Sequence, residues 1–288
     1  MRRIVAALAA ACAVTLAGGP PAQAITGSAA PDSEHPYVGL IALFDATGTH
    51  VQQCTGSLLT DKVFLTARHC LRVDEQGTLA SSARIWFEQD AAAGYVEGSG
   101  VPTPSGFPGR GGVTATTLLE YGPQTRGPEK YDVGLVILDA PVTDDYPDLT
   151  EYASLAGAGT LEAYDRGGSV VTVSGYGASD AEGSPPQYAG GGSRLETDTT
   201  IVGLNTEQTG SDHVELAADA GGGACVGDSG GPLLPAGTDV IAAVVSSGLA
   251  VCKGPFLAYR TDTQPVVDWV RANAGTEADE IAVVPVAP

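Results

Sequence analysis

The chain has 288 residues, with 14 Lys and Arg against 34 Asp and Glu, a net charge of −20, 39 Gly and 19 Pro. At 43% hydrophobic and 17% charged residues, its composition is that of a folded chain rather than a disordered one. The acidic balance repels phosphate backbones and argues against a nucleic-acid partner, while the Gly and Pro content argues against a helical bundle.

Arg2 and Arg3 open the chain, Ile4 to Gly18 is an uncharged and mostly apolar run, and Ala22-Gln23-Ala24 fits a small-residue cleavage site. This pattern predicts a secretory signal peptide over residues 1–24 and a secreted, extracellular product. A membrane span takes roughly 20 apolar residues. The opening run is shorter than that, and nothing later approaches it, so no membrane contact is expected after signal removal. The signal carries off two basic residues and Cys12, which moves the charge to −22 and leaves Cys54, Cys70, Cys225 and Cys252. In an oxidising compartment these four are expected to pair, with three connectivities open.

Short alternating runs follow, bounded by Gly, Pro and Asp: Val38–Phe44, Lys62–Ala67, Ala83–Glu88, Val133–Asp139, Ser169–Ser174 and Val240–Ser246. They predict an all-β chain of sandwich or barrel type. Helical spacing is convincing only over Gln264–Asn273, with Asp262 or Thr263 as cap and Gly275 as stop. Asp90–Gly112 and Ser179–Ser193 read as long surface loops. The segment 276–288 reads as a loose tail. Two β-rich halves are expected to meet between residues 141 and 160.

Chemistry concentrates at three places. Gly227-Asp228-Ser229-Gly230-Gly231-Pro232 sets a serine among glycines, where a substrate backbone has room, and the N–H groups of Gly227 and Ser229 can converge on one oxyanion. The same residues match G-x-S-x-G, a nucleophile elbow that needs a histidine after the serine. His35, His50, His69 and His213 all precede Ser229, which removes that reading. In Thr66-Ala67-Arg68-His69-Cys70 a strand ends beside a cysteine; pairing with Cys54 would fix the histidine on a covalent corner, as suits a general base. The other histidines lack such context and are expected at the surface. In Asp132-Val133-Gly134-Leu135 a carboxylate opens an apolar strand and needs a partner if buried.

The order His69, Asp132, Ser229, with T-A-x-H-C, D-x-x-L and G-D-S-G-G-P, resembles the chymotrypsin/trypsin family of secreted serine proteases. Ile25-Thr26-Gly27-Ser28 resembles the family's I-V-G-G start, Cys54-Thr55-Gly56-Ser57-Leu58 its C-G-G-S-L and Ser174-Gly175-Tyr176-Gly177 its T-G-W-G. The resemblance implies two antiparallel six-stranded β-barrels and a C-terminal helix, divided here as 25–145, 146–262 and 263–275. It implies Ser229 as nucleophile, His69 as base, Asp132 as the carboxylate that orients it, and Gly227 and Ser229 as oxyanion donors. It also implies the pairs Cys54–Cys70 and Cys225–Cys252, and an ion pair from the Ile25 amine to Asp228. Cleavage after Ala24 would expose Ile25 directly, so no separate zymogen step is expected.

By the same resemblance Gly223 lies at the base of the specificity pocket, where an aspartate would select Lys or Arg, and Ser246, Gly248 and Phe256 form its walls. An uncharged base and a phenylalanine point to small or medium apolar side chains at the cleaved residue. Arg68 stands where the family has a small residue. The sequence thus reads as a monomeric endopeptidase acting on polypeptides without a cofactor or metal. Two other readings use the same residues: a catalytically silent homologue that binds a partner, and an acyl hydrolase acting on esters.

Overall fold

The computed structural model describes residues 25–27, 29–74, 76–91, 111–123, 130–164, 168–218 and 223–286. The signal segment and most of the Asp90–Gly112 stretch lie outside these residues. Six strands close a first barrel: β2 (Val38–Phe44), β3 (His50–Leu58), β4 (Val63–Thr66), β5 (Ser82–Trp86), β6 (Val113–Glu120) and β7 (Gly134–Leu138), in the order β2-β3-β4-β7-β6-β5. All of its pairings are antiparallel. Strand β2 is buried on both faces, with Leu40 opposite Trp86 of β5 on one and Ile41 opposite Ile85 on the other.

A second six-stranded barrel is built from β9 (Val170–Gly175), β12 (Leu195–Leu204), β13 (His213–Leu216), β14 (Pro232–Pro235), β16 (Ala243–Gly248) and β17 (Phe256–Arg260). The pairing of β12 with β9 closes it, and β1 (Ala30–Pro31) adds to its rim through β12. The first residues of the described chain therefore sit with the second barrel, not with the first as a 25–145 unit would have them. Thr26 reinforces this by bonding to Gly223 and to the carbonyl of Cys252.

Between the barrels come β8 (Ser154–Ala156) and a short helix, α1 (Thr160–Tyr164). The hairpin of β10 (Asp180–Glu182) and β11 (Gln187–Ala189) structures the stretch read as a Gly-rich loop. The predicted strand Val240–Ser246 divides into β15 (Val240–Ile241) and β16. Helix α2 (Gln264–Asn273) follows the predicted bounds and lays Val266 and Val270 into the larger apolar cluster, which runs from the first-barrel strands to Leu234, Ile241, Val244 and Tyr259. The segment after it is not loose. Ile281 is buried, and β18 (Val283–Val284) pairs with β8 in a small parallel sheet that also holds β15.

Candidate active site

His69 stands in a single helical turn, Arg68–Leu71, that follows β4, and the Cys54–Cys70 disulfide ties this turn to β3. Asp132 lies just before β7, the strand paired with β4, so the ladder between these neighbours brings the two residues together. Asp132 is 1% exposed and accepts from His69 twice, from the backbone N–H to Oδ1 (2.9 Å) and from ring Nδ1 to Oδ2 (2.9 Å). Ser246 Oγ donates to the same Oδ2 at 2.5 Å. Burial pushes the carboxyl up, but the His69 charge and these hydrogen bonds outweigh it and hold Asp132 below its ordinary value. The contact fixes the tautomer with the proton on Nδ1 and makes Nε2 the basic nitrogen.

Ser229 approaches from the second barrel. Its carbonyl accepts from the N–H of Thr55 (2.8 Å), and Thr55 Oγ1 donates to the carbonyl of Gly227 (2.8 Å). One strand residue of the first barrel thus grips the serine loop at two points. The sulfur of Cys70 lies 3.8 Å from His69 Nε2 and 3.6 Å from the Ser229 carbonyl oxygen, which places histidine and serine around one disulfide. Gly227 (φ 101°) and Gly230 (φ 80°) take left-handed conformations. A Cβ on Gly230 would strike Thr66 and the carbonyl of Thr55.

Beside Ser229 lies a pocket of about 260 Å³ lined by Ser229, Ala224–Val226, Val245–Ala250 and Tyr188. Ser246 and Gly248 are in its wall. Gly223 and Phe256 are not among the lining residues; the Phe256 ring is buried and comes within 3.4 Å of where a Gly223 Cβ would stand. Tyr188 arrives from the β10–β11 hairpin and packs against the Cys225–Cys252 disulfide. Its place in a Gly/Pro-rich stretch gave no sign of this.

Asp228 points the other way. It is fully buried and accepts from the N–H groups of Gly177 and Cys225, both at 2.8 Å. Burial pushes its carboxyl up to about 7, and the two N–H groups only partly oppose this. In the full-length chain Ile25 carries a peptide N–H rather than an amine; its side chain is 1% exposed, against Leu195 and Ala29.

One side chain expected at the surface is inside the fold. His35 is 8% exposed and meets Asp32 (3.0 Å) and Glu196 (3.4 Å) through Nδ1, while Asp32 accepts from Ser174. Arg68 is fully buried. Asp32, His35 and Glu196 bring possible metal-ligating atoms within 4.8 Å of one another; Cys54, His69 and Cys70 do so as well, but those cysteines are joined in a disulfide. Among the described residues no helix is long and apolar enough to cross a membrane.

A trypsin family model matches residues 24–270. Trypsin delta of Drosophila melanogaster is 27% identical over 259 residues, covering 87% of this chain and 88% of the relative. Fibrinolytic enzyme, isozyme C, of Lumbricus rubellus is 27% identical over 246 residues, covering 79% of this chain and 91% of the relative. Among solved structures, HL collagenase superposes with a TM-score of 0.61 at 20% identity, covering 87% of this chain and 98% of that one, which gives the same two-barrel, chymotrypsin-like architecture. With the family model matched over most of the chain's length, the chain belongs to the trypsin family and is a serine endopeptidase.

Proposed function

We propose that the protein is secreted and hydrolyses peptide bonds through an acyl-enzyme on Ser229, with His69 as general base and acid and Asp132 as its orienting carboxylate. Ser229 Oγ attacks the scissile carbonyl while His69 Nε2 takes its proton. The N–H groups of Gly227 and Ser229 hold the oxyanion, His69 then protonates the leaving amine, and water repeats the sequence on the ester. The observation that carries this reading is the double hold of Asp132 on His69, through ring and backbone. That arrangement presets the tautomer the mechanism needs.

The pocket beside Ser229 supports cleavage after small or medium apolar residues. Its described lining holds serine hydroxyls, aliphatic groups, Tyr188 and the disulfide-bonded Cys225, with no carboxylate to attract Lys or Arg. Phe256 packs against Gly223 where a deeper pocket would extend. The start of the mature chain at Ile25 is part of the same reading. Its amine would pair with Asp228, the buried carboxylate that lacks a cation among the described residues within 4 Å. Thr26 is already docked on Gly223, two residues before Cys225, whose N–H bonds Asp228.

A panel of peptide amides varied at the cleaved residue tests the preference: highest kcat/KM for Ala, Val or Leu is expected, and a strong preference for Arg or Lys refutes it. N-terminal sequencing of active enzyme tests the start, and an active form beginning upstream of Ile25 would sink that part.

A further inference from the structure

We propose that Arg68 is a positioning residue that couples the turn carrying His69 to the segment carrying Asp132 and holds the imidazole and carboxylate at their working separation. The proposal rests on the reading of His69 and Asp132 as base and orienting carboxylate.

Arg68 precedes the histidine and is fully buried. A buried guanidinium is costly unless its donors are matched, and it marks a place where charge and shape are used together. Its two terminal nitrogens fork across one turn: Nη1 donates to the carbonyl of Tyr121 (3.1 Å) and Nη2 to that of Pro123 (3.0 Å). Nε lies 3.3 Å from Glu120 Oε1, an ion-pair distance without hydrogen-bond alignment. These two acceptors and the ion-pair partner belong to the end of β6 and the first residues beyond it.

The fork closes a circuit. The N–H of Tyr121 donates to the carbonyl of Val133 (3.0 Å), the residue after Asp132. Asp132 accepts from the N–H of His69, and His69 is bonded covalently to Arg68. Arg68, Tyr121, Val133, Asp132 and His69 therefore form a ring of three hydrogen bonds and two chain links around the catalytic pair. Gly122 (φ 78°) lets the Tyr121–Pro123 turn pack directly under the ring of Tyr131, just before Asp132, so the turn is held from both sides. Without the fork the ring opens at Tyr121, and the segment carrying Asp132 is held to the turn carrying His69 only by the β4–β7 ladder and the hydrogen bonds of Asp132 to His69 and Ser246.

Arg72 provides the contrast. It meets the same Glu120 through Nε (2.5 Å) and Nη2 (3.5 Å), and among the described residues it bonds neither Tyr121 nor Pro123. If the buried charge serves only stability, the two arginines should behave alike. If the fork positions Asp132, only Arg68 should affect catalysis. Lysine keeps the charge but cannot span two carbonyls with a planar fork.

The test compares Arg68→Met, Arg68→Lys, Arg72→Met and Asp132→Asn in the mature enzyme. Each is measured for kcat and KM on one peptide amide and for the downfield proton resonance of the His69–Asp132 hydrogen bond. Arg68→Met is expected to lower kcat by about tenfold or more, since small misplacements of catalytic groups are costly, with KM little changed and the resonance shifted or broadened. Arg68→Lys should recover part of kcat, and Arg72→Met should stay within about twofold of wild type on the same criterion. Wild-type kcat and an unmoved resonance in Arg68→Met, or equal losses in Arg72→Met, overturn the proposal. If Arg68→Met does not fold, Arg68→Lys decides: loss of kcat with a shifted resonance supports the fork, and wild-type values for both refute it. Asp132→Asn separates the two levels. Retained activity there removes the triad reading and this proposal with it, whereas its collapse beside unaffected Arg68 variants removes this proposal alone.

Discussion

Ser246 donates to Asp132 Oδ2 at 2.5 Å, so the wall of the pocket is bonded to the carboxylate that holds His69. A hydrogen bond to a charged group contributes about 1.5–3 kcal/mol, and this one also fixes Oδ2 for the imidazole. Ser246→Ala is expected to lower kcat about tenfold, with a smaller rise in KM from the altered wall. Steady-state kinetics on a single peptide amide checks it; a change confined to KM would show that the bond does not serve the triad.

Asp228 predicts a pH-dependent stability. Its folded value, pushed up to about 7, lies above the ordinary 3.8, so the folded state binds the proton more tightly than the unfolded one. That contribution is fully present below about pH 4 and is lost as the pH rises through 7. A form extended upstream of Ile25 should therefore lose melting temperature between pH 4 and 8 more steeply than the same form with Asp228→Asn. In the form that starts at Ile25, the amine should flatten the slope, and Asp228→Asn should abolish activity. Melting curves of the four proteins across this range check it, and identical slopes in both starts would contradict the ion pair.

Gly175 and Gly177 are required by the same carboxylate. A Cβ on Gly177 would stand 2.6 Å from Asp228 Cγ, and one on Gly175 would overlap Asp228 Oδ1. Overpacking of this kind costs about 1–3 kcal/mol. Either alanine substitution should lower the melting temperature by about 3–10 °C and reduce activity by displacing the loop before Ser229. Wild-type melting and kinetics for both would show that the loop yields without cost.

Gly223 and Phe256 make a substitution prediction of unusual sign. Because the Phe256 ring is already in van der Waals contact with the place of a Gly223 Cβ (3.4–3.5 Å), the carboxylate of Gly223→Asp would be set against the ring rather than opening into the pocket. It should weaken cleavage after apolar residues without conferring cleavage after Arg or Lys. Paired with Phe256→Gly, the same change should raise the Arg and Lys rates at least tenfold over the single variant, a gain of about 1.4 kcal/mol. The peptide panel reads both, and efficient Arg cleavage by Gly223→Asp alone would contradict the placement of Phe256.

Much of this was legible in the chain, for definite reasons. β2 and α2 have the predicted bounds because β2 is an unbroken apolar run buried from Val38 to Leu43, while α2 spaces Val266, Val267 and Val270 near period 3.6. The three motifs announced their chemistry because glycines and a cysteine leave little freedom around Ser229 and His69. Nonlocal pairing was not legible. Val240–Ser246 is one continuous, nearly all-apolar run, yet Ala242 is where the chain passes from the small parallel sheet to the barrel. Segment 276–288 reads as a tail because its partner, β8, lies more than a hundred residues away. His35 reads as a surface residue because its type usually is, although its partner Asp32 lies only three residues away; the acceptors of Arg68, by contrast, are Glu120, Tyr121 and Pro123, which only the fold brings to it. Tyr188 was hidden in a Pro/Gly-rich stretch that gave no periodicity.

The central claim is that Ser229 is an activated nucleophile in an endopeptidase. Exposure of the mature enzyme to a fluorescent fluorophosphonate, with peptide-amide hydrolysis followed in parallel, tests it most directly. One label per chain on Ser229 is expected, with loss of hydrolysis in step with labelling and neither in Ser229→Ala. Hydrolysis that persists in the fully labelled enzyme, or in Ser229→Ala, would contradict the claim.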